Sequence, residues 1–470
     1  MTKIPSLNDL TPEQKDALII ELVTRLNVFE AKLEKDSHNS SKPPSTDGLK
    51  RKPKSLREPG MNPPGGQPGH PGKTLKRVQD PDHTVTHPVP ERCDVCGIAI
   101  AADQVTVLPQ GRQVFDLPAI RFEVIEHRVQ VAQCRCGKTH TSQFPSGVSQ
   151  AAQYGPRVKA AAVYLTQYQQ VPIDRTAQAL RDLFHLPMST GTIQNCINEA
   201  DGALAPALDQ IRQAILAEPV VHFDETGMRV GRKQQWLHSA STRSLTWYGP
   251  HAKRGKEALD SFNILPGFNG VAVHDGWRPY ADYACQHALC NAHHLRELIY
   301  IWETTQQTWA QDMITLLRQA KREADDNLMR GNTSLAPARL ADYRRRAEAL
   351  IARGQQDNPA QARNPALDPR GKTKQSFAYN LLARFQRYAT EVWRFIADHR
   401  VPFDNNQAER DIRMPKLKQK ISGGFRVMHG LRAFCTIRSY LATLRKQQRE
   451  LFTALTCTFS GCPPSPIPGC

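Results

Sequence analysis

What the chain lacks narrows its class first. No apolar run approaches the roughly 20 residues that a membrane-spanning helix needs, so a transmembrane protein is not expected. The N-terminus, MTKIPSLNDLTPEQKDALII, has no basic start followed by an apolar core and a small-residue cleavage site, the order that a secretory signal requires. The two absences together read as a cytoplasmic protein. Cysteine is sparse, at 11 in 470 residues. That is too few for a disulfide scaffold, and in a reducing compartment clustered cysteines point to metal. Acids are in the minority, with 45 Asp and Glu against 62 Lys and Arg, a net charge of +17. Such an excess says nothing about fold but favours a polyanionic partner such as nucleic acid.

The length allows two to four domains with cores of their own. Residues 1–38 hold a helix opened by Thr11, with Pro12 in its first turn and Gln14 completing a capping box. Its stripe of Ile19, Leu22, Leu26, Phe29 and Leu33 suits a short coiled coil or a packing face equally. Residues 39–85 are rich in Pro and Gly and cannot form a core. Over residues 39–80, nine Lys or Arg face three acids, so this linker is either a solvated tether or lies along phosphates.

Residues 86–148 carry "CDVCG", the alternating "QVFDLPAIRFEVIEHRVQVAQC" and "CRCGK", which predicts a hairpin flanked by cysteine pairs. Residues 149–216 are helical. Within them "PIDRTAQALRDLF", the break "HLPM" and "STGTIQNCINEA" have helix-turn-helix proportions, with Ser189 or Thr190 as cap. A plain helix pair would look the same.

After Pro219 the period becomes strand-like, beginning an α/β region at 217–456. "PVVHFDET" and "FNGVAVHDGW" read as apolar strands that each end in an acid, separated by a hairpin and a helix. A polar helical insertion spans about 301–400, a last helix lies near 429–455, and residues 457–470 form a tail.

Two constellations carry chemistry. Cys93, Cys96, Cys134 and Cys136 supply four soft ligands, the set that a structural tetrahedral Zn2+ takes. Gly97 and Gly137 allow a tight turn after each pair, and His127 or His140 could replace one cysteine. Asp224 and Asp275 each end a strand, and Glu409 opens a helix capped by Asn405 or Asn406. Carboxylates at strand ends point into the crevice where α/β sheets bind ligands. Three brought together repel unless cations hold them, and two Mg2+ ions suit hard oxygen ligands and phosphoryl transfer. Glu225, Asp404 and Asp411 are second choices, Glu225 because it should face the other side of its strand. Pro415 should stop or kink the helix of Glu409. From 410 to 449, eleven Lys or Arg face one acid, and Arg410, Arg413, Lys416, Lys418, Lys420 and Arg426 are the expected phosphate contacts. Trp277 and Tyr280 suit either base stacking or core.

With "NSSKPPSTDG", "GGQPGHPGK", "HFDETGMRV", "VHDGWRPY", "CNAHHLREL" and "DNNQAERDIR" added to the cysteine knuckles, the chain resembles DDE transposases of insertion-sequence family 66. The resemblance implies a ribonuclease-H-like core with a helical insertion, and Asp224, Asp275 and Glu409 as its triad. It implies Mg2+-dependent cleavage at the element's terminal repeats and strand transfer into target DNA. It also implies a homo-oligomer on DNA, with or without accessory proteins of the same element, in a bacterial cytoplasm. Cys290 and His293 resemble a C-x2-H signature found after the second Asp in several DDE families; a buried Cys and a helix-capping His are the plain alternative. The expected fold is therefore multidomain α/β, with helix, zinc unit and helix-turn-helix-like region ahead of the core. A hydrolytic nuclease, a zinc-containing DNA-binding regulator and an inactive copy are the rival readings, the last because the tail "TCTFSGCPPSPIPGC" departs from the family pattern.

Overall fold

The computed structural model describes residues 11–33, 35–40, 69, 74–108, 111–118, 120, 122–362, 373 and 375–467. Most of the expected linker, residues 41–68 and 70–73, lies outside the described residues. Helix α1 (Pro12–Leu33) starts with the predicted reciprocal cap. Thr11 Oγ1 accepts from the Gln14 amide at 3.3 Å, and the Thr11 amide donates to Gln14 Oε1 at 3.0 Å. Ile19, Leu22 and Leu26 on this helix are exposed.

The cysteine-bearing region holds less sheet than its alternation predicts. Among the described residues its strands are β1 (Val131–Gln133) and β2 (Thr139–Thr141), paired antiparallel. The stretch before them does not form a strand, and Val114, Leu117, Val124 and Ile125 stay exposed. Alternation marks a strand only where one face has something to bury against, and here no described element covers these side chains.

The helical region follows as α2 (Pro156–Val163), a π-helical turn at Tyr164–Tyr168, α3 (Ile173–Phe184) and α4 (Thr190–Leu216). Ser189 is the cap of α4, its Oγ accepting from the Thr192 amide at 3.1 Å. The break before it turns through His185, whose φ is +55°.

Five strands form the main sheet, β3 (Val220–Val230), β4 (Lys233–Ser241), β5 (Thr246–His251), β6 (Val271–His274) and β7 (Gln286–Leu289). Their order is β5-β4-β3-β6-β7. The first three pair antiparallel, while β6 and β7 run parallel to β3. Helix α5 (Lys256–Ser261) connects the two halves. Phe223, Ala240, Trp247 and Ala272 on one face pack against Ile211 and Ile215 of α4. On the other face, Met228, Leu237 and Tyr248 meet Leu431 and Phe434.

Helix α6 (Asn291–Thr305) leaves β7 and leads into α7 (Thr308–Met329), α8 (Pro337–Asp357), α9 (Phe377–Arg387), α10 (Ala389–Val392) and α11 (Arg394–Ala397). These build a separate core around Trp309, Leu317, Leu382 and Phe385. The chain returns as α12 (Asn406–Ser422), α13 (Met428–Lys446) and α14 (Leu451–Phe459). Residues of α13 and α14 share one core with α2, α3 and α4, so the helical region and the C-terminal helices pack as one body. The result is a mixed α/β protein with a helical majority. The tail after α14 is held to that body: Tyr440 donates to the Pro464 carbonyl at 2.8 Å and Gln447 to that of Pro466 at 2.7 Å.

Of the stop or kink expected at Pro415, the stop does not occur; α12 continues to Ser422 with the proline inside. Proline lacks the N–H that would bond the carbonyl four residues back, which is Asp411. The Tyr248 hydroxyl, buried in the sheet, donates to that carbonyl at 2.8 Å. The vacant acceptor is thereby satisfied from outside the helix. Tyr248→Phe should cost about 1–3 kcal/mol, the penalty of an unpaired buried acceptor. Adding Pro415→Ala should recover part of that loss by restoring the amide donor, which chemical denaturation of both variants would measure.

Candidate active site

Asp224 lies within β3 and Asp275 directly follows β6. These strands are parallel neighbours, with Val220 opposite Val271 and His222 opposite Val273. The sequence separation of Asp224 and Asp275 equals that of these partners, so continuing the register sets the two acids side by side. Each is oriented by a backbone amide. Asp224 Oδ1 accepts from Glu225 N at 2.8 Å, and Asp275 Oδ1 accepts from Trp277 N at 2.8 Å.

Glu409 arrives from the first turn of α12, and Asn405 fixes where that turn begins. The sequence assigns Asn405 or Asn406 a capping side chain, but neither caps. Asn405 instead spends its amide on β3: Nδ2 donates to the Phe223 carbonyl at 2.8 Å, and Oδ1 lies 2.8 Å from His222 Nδ1. Its backbone N–H donates to Cys290 Sγ at 3.1 Å. One residue, 1% exposed, thus ties α12 to the strand of Asp224 through its side chain and to the start of α6 through its backbone amide. The capping bond comes from Asp404, whose Oδ1 accepts from Asn406 N at 3.1 Å.

The electrostatics record the crowding of acids. Burial, then repulsion from Glu225 and Asp275, and more weakly from Glu409, holds the Asp224 carboxyl well above the usual carboxylate range, against the bond from Glu225 N. Burial also raises Glu409, with Arg296 and Arg413 opposing and Asp404 and Asp275 adding to the rise. The two catalytic-candidate acids for which the shift is directed upward would be eased by cations, which fits divalent metal. Glu409 Oε1 is buried without a hydrogen-bond donor. Its nearest cationic neighbour is Arg296, at 3.7 Å.

The three acids do not converge into one tight shell. Among the described residues, the group of metal-capable side chains with ligand atoms all within 4.8 Å of one another is Cys290, His293 and Glu409. Glu409 therefore faces two ways, toward Asp275 and toward α6. His293 Nδ1 approaches Glu409 Oε1 at 3.9 Å. Burial pushes the His293 pKa down to about 3, so this approach is not an ion pair.

The other sequence candidates separate clearly. Glu225 turns to the opposite face, as expected, where it is 2% exposed, paired with Arg254 and hydrogen-bonded by Tyr280 at 2.6 Å. Tyr280 is core. Arg254 lies over the Trp277 ring at 4.2 Å. Asp411 is bound by Lys446 at 2.8 Å and belongs to the scaffold. Arg410, Arg413, Lys420 and Arg426 are exposed. Lys416 is half-buried and donates to the Gly227 carbonyl at 2.7 Å, and burial lowers Lys418 to about 8. Two of the six predicted phosphate contacts are thus drawn into the protein.

The cysteine pairs form two matching turns. The Gly97 amide donates to the Cys93 carbonyl and the Gly137 amide to that of Cys134, with φ of +72° and +87° at the glycines. Cys93 and Cys134 are each lowered, first by a backbone amide of the second cysteine in the pair. Each pair is shaped as half of a thiolate site, but the four sulfurs are not gathered into one group.

Asn405 is the residue that sequence reasoning undervalued. Its signal was the doubled asparagine directly ahead of Glu409 in "DNNQAER", which helix-capping preference absorbs without further explanation.

The chain matches the Transposase IS66 family over residues 151–433. A family of unknown function matches residues 3–76. No curated protein matches. The first match takes in more than half of the chain, from the segment before α2 into α13, and includes Asp224, Asp275, Asn405 and Glu409. The chain therefore belongs to the IS66 transposase family, and is by that membership a transposase acting on DNA.

Proposed function

We propose that the protein cleaves the ends of its element and joins them to target DNA through Asp224, Asp275 and Glu409, in a ribonuclease-H-like core interrupted by the α6–α11 insertion. The observation that carries this reading is the parallel register placing Asp224 beside Asp275, with Asn405 bringing the turn of Glu409 to the same strand. The sheet, with three antiparallel strands followed by two parallel ones, supports that fold.

The three acids would hold Mg2+. A bound pair of such ions supplies a water of lowered pKa and charge neutralisation for in-line phosphoryl transfer. The chain's own part is placement. Glu225 N and Trp277 N orient the carboxylates of Asp224 and Asp275, Asn405 sets the distance of the third, and burial keeps bulk water from screening them. Incubating the protein with labelled element ends and Mg2+ should yield both cut and joined products. Cut products alone would mean a hydrolytic nuclease, and neither product a binding protein.

DNA should bind along the exposed bases beside this site. Charge reversal of Arg410, Arg413, Lys420 and Arg426 should weaken binding to every sequence. It should also flatten the log–log salt dependence by about 3–4, since each lost phosphate contact removes ~0.9 from the slope. Filter binding between low and moderate salt measures this, and an unchanged slope would remove these residues from the interface.

The knuckle turns are read as a structural Zn2+ site completed when Cys93, Cys96, Cys134 and Cys136 converge on the ion. Metal analysis of protein purified without chelator should find zinc that Cys93→Ser with Cys96→Ser removes.

A further inference from the structure

We infer that Cys290, His293 and Glu409 form a second cation site, of the zinc class, that shares its carboxylate with the catalytic centre. Four observations carry it. The three ligand atoms lie within 4.8 Å of one another. His293 Nδ1 and Glu409 Oε1 are buried without hydrogen-bond partners. They stand 3.9 Å apart, close to the edge of a tetrahedral shell built from zinc–ligand bonds of about 2.0–2.3 Å. Cys290 Sγ already accepts the Asn405 N–H at 3.1 Å, the outer bond that steadies a metal-bound thiolate.

The donor set is a thiol, an imidazole and one carboxylate. It suits zinc, cobalt or a similar borderline ion and disfavours Mg2+, which prefers an all-oxygen shell. An imidazole ligates in its neutral form, and a Cys290 thiol gives up its proton to solvent when an ion binds. Three protein ligands leave a fourth position open, as in exchangeable rather than purely structural sites. Arg296, 3.7 Å from Glu409 Oε1, is the group that an entering cation must turn aside.

The binding stands on these donors alone. Its consequence rests on the reading of Glu409 as the third catalytic carboxylate: with an ion held by Cys290 and His293, Glu409 is committed to α6.

The test is cobalt titration of the full-length protein, following the thiolate-to-cobalt charge-transfer band and the number of ions bound. Cys290→Ser should lose one cobalt per chain and part of the band. His293→Ala and Glu409→Gln should weaken that same ion by at least ~10-fold, the scale of even outer-shell changes. Serine keeps an acceptor for the Asn405 amide, and a melting curve checks that each variant is folded; Glu409→Gln gives an independent reading should Cys290→Ser fail to fold. Asp224→Asn should retain the ion. Wild-type binding in Cys290→Ser and His293→Ala overturns the site, as does loss of the ion in Asp224→Asn, which would place it among the aspartates. Cleavage activity does not enter this measurement, so the catalytic reading and the second site can fail separately.

Discussion

Protein carrying Asp224→Asn should bind element ends as tightly as the unchanged chain, or slightly tighter, and cleave them on the order of a thousandfold more slowly. The amide keeps the volume of the carboxylate but removes a ligand charge from a centre whose acids depend on cations. Electrostatics of that kind contribute several kcal/mol to phosphoryl transfer. Asp275→Asn and Glu409→Gln should behave alike. The control must be an acid outside both site and scaffold. Glu225 and Asp411 do not qualify, since each is paired with a cation. Asp282 is exposed on the turn after β6, and Asp282→Asn should retain activity. Cleavage and gel shift on the same labelled DNA decide the matter; full activity in Asp224→Asn would remove that residue from the centre.

The same substitution has an opposite sign in stability. Because the folded pKa of Asp224 is raised, the folded state holds its proton more firmly than the unfolded chain, whose Asp titrates near ~3.9. Stability from this group is therefore present below the unfolded value. It is lost as pH rises through the window up to the raised folded value, and stays lost above it. Without metal, at pH above that raised folded value, Asp224→Asn should melt higher by roughly 2–4 °C for each ~1 kcal/mol relieved. Added Mg2+ should stabilise the unchanged chain more than the variant. A lower melting temperature for the metal-free variant would contradict the repulsion seen among these acids.

Much of this arrangement was legible in the residues. The apolar strand running into Asp275, the hairpin ahead of it, and the cap at Thr11 follow from local periodicity and side-chain chemistry, whereas β3 does not end at Asp224 but runs on to Val230 along β4. What escaped depends on tertiary partners. The run from Gln113 to Cys134 alternates, yet it forms only the short β1 because nothing among the described elements covers one face. Pro415 reads as a stop or kink, and what lets the helix run on is Tyr248, far away in sequence, which bonds the carbonyl it frees. Lys416 and Lys418 look like free cations in a basic run, but Lys416 is drawn onto the Gly227 carbonyl of β3 and Lys418 over the Phe425 ring. The proposed triad was implied as a set by the family resemblance, whereas no local pattern could announce that Glu409 also faces Cys290 and His293.

Asn405→Ala should lower cleavage by about 10²–10³-fold, although Asn405 touches neither metal nor DNA in the proposed mechanism. The change deletes the bonds to the Phe223 carbonyl and to His222, leaving that position itself held by its backbone amide to Cys290. Two buried polar groups lose a partner, a cost of about 1–3 kcal/mol each, and the turn carrying Glu409 gains freedom relative to Asp224. A displacement of about 1 Å is enough to cost ~100-fold where reacting groups must be held in register. Loss of stability alone would lower the amount of active protein without changing its response to metal. A positioning role predicts more: half-maximal activity should require about tenfold more Mg2+, as when an outer-shell partner of a ligand is removed. DNA affinity should stay close to that of the unchanged chain, because Arg410, Arg413, Lys420 and Arg426 remain exposed and charged. Activity measured across a Mg2+ series, on protein shown to be folded by its melting curve, separates the two accounts. An unchanged Mg2+ requirement with reduced maximal rate would make Asn405 a stabilising contact and nothing further.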